Sequence, residues 1–188
     1  MTDEDETLRD KKQAELEESH RLIEDSIAYT MDIYGYTHSV GRIYAILYLN
    51  GGPMTLDELR IELGMSKGSM SLGVRKLLDD KLIHRVFRRG ERKDLYQAEQ
   101  DYFKFFTNFH TQRWQREVSV NMQGIRQAQP RYQALIDDPD TPEDIRENAR
   151  RKLEKTTASF DYYDFLELLV SKAESGELFK ILLDKKDS

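Results

Sequence analysis

Between Ser66 and Lys93 nine Lys or Arg stand against three Asp or Glu, a net of +6, in a chain whose total charge is −6; the remaining residues therefore carry −12. The chemistry such a patch offers is phosphate neutralisation, and confining it to one stretch concentrates the positive field on one face of an acidic body. Within the patch the basic residues fall into two groups. Lys67, Arg75 and Lys76 share a helical segment with Ser66, Gly68, Ser69, Ser71 and Leu72, whereas Arg88, Arg89, Arg92 and Lys93 surround Gly90 in a turn. A helix whose outer residues are small, polar or basic can enter a major groove roughly 12 Å wide and meet base edges and phosphates.

Other reactive patterns are sparse. Gly64-Met-Ser-Lys-Gly68 matches the G-x-S-x-G string of hydrolase nucleophile elbows, but that motif needs a strand before the serine, and here a helical pattern precedes it. Ser66 is therefore expected as a helix cap, and the chain is not expected to be an enzyme. His20, His38, His84 and His110 form no H-x-x-x-H pattern, and there is no cysteine, so neither a metal site nor a cofactor is expected. No apolar run approaches the roughly 18–20 residues of a membrane span, and Met-Thr-Asp-Glu-Asp-Glu at the start is acidic. A protein without membrane contact, located in the cytoplasm, is expected.

The elements that must position the basic groups can be read from caps and periodicity. Thr55 to Glu58, Thr-Leu-Asp-Glu, is a capping box that opens a short helix ending at Gly64. After the turn Gly64-Met65, Ser66 caps a helix from Lys67 to about Asp79, with Met70, Val74, Leu77 and Leu78 on its inner face. Two short helices joined by a glycine turn make a helix-turn-helix. Leu82 to Phe87 and Asp94 to Ala98 then read as strands joined by the basic turn, and a hairpin following a recognition helix is a wing. Arg88, Arg89, Arg92 and Lys93 would reach the flanking backbone or minor groove of double-stranded DNA.

Long helices are expected on both sides. Leu16, Ile23, Ile27, Met31 and Tyr34 recur at helical spacing from about Leu8 to Tyr36, with Gly35 at the end; Ser39 is expected to cap the next helix, which runs through Asn50. Tyr102, Phe105, Phe106 and Phe109 begin another, continuing toward Gln129, where Pro130 interrupts or ends it. After a polar turn at residues 137–142, one last long helix carries Ile145, Ala149, Leu153, Thr156, Phe160, Tyr163 and Val170 as a stripe interrupted at Glu167. The expected fold is mainly α with a small β-hairpin wing. Residues 39–98 form the winged helix-turn-helix, 1–38 an N-terminal dimerisation helix and 99–188 a helical dimerisation region, making a homodimer. Whether one end or both form the interface stays open.

Several strings carry a family likeness: Asp32-Ile-Tyr-Gly-Tyr, Ser39-Val-Gly-Arg-Ile-Tyr, Pro53-Met-Thr-Leu-Asp-Glu-Leu, Leu63-Gly-Met-Ser-Lys-Gly-Ser-Met-Ser-Leu-Gly-Val-Arg and Arg92-Lys-Asp-Leu-Tyr. They resemble the glycine betaine synthesis regulators, a branch of the MarR-like winged-helix repressors, over roughly Ile23 to Asn121. The resemblance implies a repressor of genes for choline and glycine betaine synthesis or import. Some members of that family respond to choline and others repress without a known small ligand.

A quaternary ammonium donates no hydrogen bonds and is held over aromatic faces. Tyr44, Tyr48, Tyr96, Phe106 and Trp114 are the rings that could form such an effector site, with ordinary core packing as the other reading of each. A different class of function is a protein–protein adaptor without specific DNA binding. Four basic residues at the hairpin tip and small polar residues on the outer helix face favour DNA.

Overall fold

The computed structural model describes residues 3–90 and 92–183. Glu91 in the expected hairpin turn, residues 1–2 of the N-terminal region and 184–188 of the C-terminal region lie outside the described residues. The chain divides into two compact units, Met1–Phe105 and Phe106–Ser188.

In the first unit the order is α1 (Asp3–Ile33), α2 (His38–Asn50), β1 (Met54–Thr55), α3 (Leu56–Leu63), α4 (Lys67–Asp79), β2 (Ile83–Val86) and β3 (Leu95–Ala98), followed by the first residues of α5 (Tyr102–Asp137). The last turns of α1 pack on α2, burying Ala28, Met31, Ile43 and Leu47. Gly41 makes that contact possible, since a Cβ there would lie 2.7 Å from the Ala28 carbonyl oxygen. Glu24, only 8% exposed, accepts a hydrogen bond from Arg42 Nε at 2.9 Å across the same seam. Toward its N-terminal end α1 leaves Leu16 and Ile23 exposed, although their spacing suggested a buried stripe.

Thr37, not Ser39, caps α2. Thr37 is extended (φ −71°, ψ 152°) and its hydroxyl accepts from the Val40 amide, whereas Ser39 lies inside the first turn. The expected capping box is present: Thr55 Oγ1 accepts from the Glu58 amide at 3.2 Å, and the Glu58 carboxylate accepts from the Thr55 amide at 2.7 Å. The bond from the Thr55 amide, and then one donated by the Thr55 hydroxyl, hold the Glu58 carboxyl below its ordinary value. Gly64, in the left-handed region at φ 62°, ends α3 and lets α4 begin three residues later.

The expected hairpin gains a third strand. β1 pairs antiparallel with β3 through Met54 opposite Tyr96 and Thr55 opposite Leu95, so the sheet order is β1-β3-β2. Two residues carry no periodicity, which is why β1 is invisible in the sequence.

In the second unit α5 continues and is followed by α6 (Glu143–Ala158), α7 (Phe160–Glu174) and α8 (Glu177–Leu183). Pro130 does not end α5, which runs seven residues further. Proline removes one amide donor, but the carbonyl that loses it belongs to exposed Arg126, and water can replace that bond. The single long helix expected after residue 142 is in fact three. Thr156 and Thr157 hydroxyls donate back to the Leu153 carbonyl and Ser159 Oγ to Thr156, so this hydroxyl run competes for helix carbonyls and breaks α6 from α7. Gly176, at φ 75°, follows the break after α7.

The core of this unit uses Phe109, Val118, Ile125, Ala149, Leu166, Val170 and Ala173. Arg146 closes the α5–α6 turn by donating from Nη2 to the carbonyls of Asp138, Pro139 and Thr141 at 3.1, 3.2 and 2.9 Å. No helix among the described residues is long and apolar enough to cross a membrane.

Candidate nucleic-acid interface

Ser66 sets the geometry of α4: it is extended (φ −67°, ψ 152°) and its hydroxyl accepts from the Ser69 amide at 3.2 Å. The serine of the hydrolase-like string is thus committed to a helix start, preceded by a helix and a glycine turn rather than a strand. From that cap, Met70, Val74 and Leu77 turn inward and are 0–2% exposed. Gly73 is buried with them, because a Cβ there would meet Ile43 Cδ1 at 2.5 Å. The remaining positions face water: Lys67, Gly68, Ser69, Leu72, Arg75 and Lys76 are exposed and Ser71 is half-buried. Leu72 is 66% exposed, an apolar side chain amid polar neighbours.

On the hairpin, Arg88, Arg89, Arg92 and Lys93 are all exposed, flanking Gly90 at φ 90°. Two of the lysines singled out in the sequence are held by carboxylates. Lys93 Nζ lies 2.8 Å from Asp57 Oδ2 on α3, and this hydrogen bond keeps the Asp57 carboxyl below its ordinary range. Lys76 Nζ lies 3.0 Å from Asp80, which also accepts a hydrogen bond from Tyr36. No ion pair occupies Arg75, Arg88 or Arg89 among the described residues. Asp57 was not legible as a lysine partner, since it is 36 residues from Lys93, whereas Asp80 lies four residues from Lys76, a spacing that could have signalled the pair.

The aromatic residues fall into separate places. In the first unit Tyr44, 3% exposed, lies 6.0 Å from Tyr48 and 5.2 Å from Phe105, while Tyr48 lies 5.1 Å from Tyr102. Tyr34 reaches the same Phe105 ring at 6.3 Å. Burial pushes the Tyr44 phenol well above its ordinary value, and a hydrogen bond with Tyr102 is the main cause of Tyr48 being pushed up to about 12. Both are neutral rings at physiological pH. Tyr96 is buried in β3 with its hydroxyl 3.4 Å from Asp94.

Phe106 and Trp114 belong to the second unit. His110 stands between them, 4.4 Å from Phe106 and stacked 5.2 Å from Trp114, and Phe179 of α8 lies 5.8 Å from Phe106. Burial first, then Arg113, lowers the His110 pKa. Sequence reading named neither Tyr102, Phe105 nor His110 for this purpose, although Tyr102 and Phe105 stand three apart and His110 four from both Phe106 and Trp114, spacings that make helix neighbours.

A helix-turn-helix followed by a β-hairpin wing, which β1 joins into a three-stranded sheet, is the architecture of winged-helix transcriptional regulators. A solved structure described as a transcriptional regulator has this fold: it matches with a TM-score of 0.52 at 15% identity, over 84% of this chain and 99% of the other. Residues 102–180 match the C-terminal helical hairpin of GbsR family transcriptional regulators. The HTH-type transcriptional repressor GbsR of Bacillus subtilis (strain 168) is 46% identical over 169 residues, 90% of this chain and 93% of that one. The HTH-type transcriptional repressor OpcR of the same organism is 33% identical over 172 residues, 92% and 93% of the two chains. The chain belongs to the GbsR family of winged-helix transcriptional regulators, and is a DNA-binding regulator rather than an enzyme.

Proposed function

We propose that this chain is a homodimeric repressor that places α4 in the major groove of its operator and lays the wing tip on the flanking backbone or minor groove. Its targets would be genes for choline and glycine betaine synthesis or import, with a quaternary ammonium such as choline as effector. The observation that carries the DNA reading is the Ser66 cap, which turns Ser69, Leu72 and Arg75 outward on the module that bears Arg88 and Arg89. Ser69 and Leu72 would read base edges, while Arg75, Lys76 and the wing cations would neutralise phosphates. The relatives named as repressors support the sign of regulation, and the resemblance to glycine betaine regulators supports the targets.

The homodimer is favoured by α7, which buries Leu166, Val170 and Ala173 yet leaves Tyr162, Phe165 and Leu168 about half exposed. Large apolar side chains left open beside a buried stripe on one helix are suited to cover by a second copy. The effector reading draws on the two aromatic groups, Tyr44 and Tyr48 in one and Phe106 and Trp114 in the other.

The test is a titration of the purified protein onto DNA from its own upstream region at two salt concentrations, with and without millimolar choline. Specific binding weakened by choline is the expected result. Specific binding indifferent to choline would remove the effector, and no specific binding would favour a protein adaptor. Arg75→Ala, or Arg88→Ala with Arg89→Ala, should weaken binding and flatten its salt dependence by about 0.9 in slope for each phosphate that is no longer neutralised.

A further inference from the structure

Phe87 is 91% exposed, more open to water than any other large apolar residue described. It follows Val86, whose pairing with Leu95 is the last rung of the β2–β3 ladder, so no strand partner covers its ring. A single exposed apolar residue is ordinary on a protein surface. The neighbours of this one are not. Arg85, Arg88 and Arg89 lie within two residues of it and are exposed, Arg85 standing 4.0 Å from Asp94, so an exposed aromatic ring and three arginines share one hairpin on the same module as α4.

That combination fits a groove bordered by two rows of phosphates: the arginines meet the rows while the ring meets sugars and base steps between them. A wing that only neutralised phosphate would gain nothing from a phenyl ring, and burying the ring in the hairpin would have stabilised the fold. We infer that Phe87 enters the minor groove beside the half-site as an apolar wedge, partly unstacking one base step while Arg88 and Arg89 hold the adjoining phosphates. The inference rests on the DNA-binding reading proposed above. It gives the wing a preference of its own, because pyrimidine–purine steps unstack more readily than others and the wedge would favour them at a flanking position.

The experiment uses the full chain and the duplex its footprint protects, with 2-aminopurine placed in turn at each flanking step, and compares wild type with Phe87→Ala and Phe87→Leu. At one flanking step the wild type should raise 2-aminopurine fluorescence. Phe87→Ala should abolish that rise and bind roughly tenfold more weakly, as expected when one aromatic ring no longer stacks on a base, at an unchanged salt slope. Phe87→Leu should keep part of both signals. If wild type binds the duplex and Phe87→Ala matches it in affinity, or if 2-aminopurine stays quenched at every flanking step, the wedge is overturned and the DNA reading stands. If wild type binds no duplex specifically, both fall.

Discussion

The α-carbon of Gly41 faces the Ala28 carbonyl so closely that a methyl group would sit 2.7 Å from its oxygen and 3.1 Å from Met31 Cβ. The seam between α1 and α2 is therefore a backbone contact, and Gly41→Ala must push the helices apart. Gly73→Ala meets instead the terminal methyl of Ile43, which can rotate away. Alanine favours a helix over glycine by roughly 1 kcal/mol in both cases. Urea unfolding should show Gly41→Ala destabilised by about 2 kcal/mol and Gly73→Ala within about 1 kcal/mol of wild type. Equal values would mean that the seam yields.

The start of α2 separates two neighbouring hydroxyls. Thr37→Ala removes the acceptor of the Val40 amide and should cost about 1 kcal/mol. Ser39→Ala should change stability by less than about 0.5 kcal/mol. The same unfolding curves decide between them, and a larger loss at Ser39 would restore it as the cap.

The Asp57 carboxylate, kept below its ordinary range by its hydrogen bond with Lys93, competes with phosphate for that lysine. Fluorescence anisotropy on operator duplex should show Asp57→Ala binding more tightly and with a salt slope steeper by about 0.9, one additional phosphate neutralised. An unchanged slope would show that Lys93 touches no phosphate.

His110 gives the second unit a pH dependence. Its folded pKa is depressed by burial, so the unfolded chain binds the proton more readily, and stability is lost as pH falls from about 6.5, the ordinary histidine value, toward the folded one. Stability should rise with pH across that window and the rise should flatten in His110→Phe. Trp114, the chain's one tryptophan and stacked on His110, supplies the fluorescence signal.

The parts of the fold set by local hydrogen bonds were legible. Ser66, the Thr55–Glu58 box and the glycine at 64 place α3 and α4 within a residue of where their caps predict, because a cap depends on neighbours three residues away. Features set at a distance were not. β1 exists only because β3 lies beside it, and Leu16 and Ile23 carry helical spacing yet are 63% and 52% exposed. The break at Ser159 depended on the hydroxyls of Thr156, Thr157 and Ser159, which look like ordinary polar positions in a helix. In the interface, outward-facing side chains followed from the inner stripe of α4, and Asp80 stands four residues from Lys76, but the carboxylate of Asp57, 36 residues from Lys93, required three-dimensional proximity.

Those two carboxylates bear on how such a regulator would find its operator. Lys93 and Lys76 each arrive at DNA already holding an anion from their own chain. On the DNA-binding reading, every encounter, correct or not, must exchange aspartate for phosphate, so the penalty is uniform and discrimination between sequences is untouched. Residence on bulk DNA shortens all the same. The protein would leave wrong sites sooner and sample more of the genome in a given time, with its own acids acting as the competitor that keeps it moving.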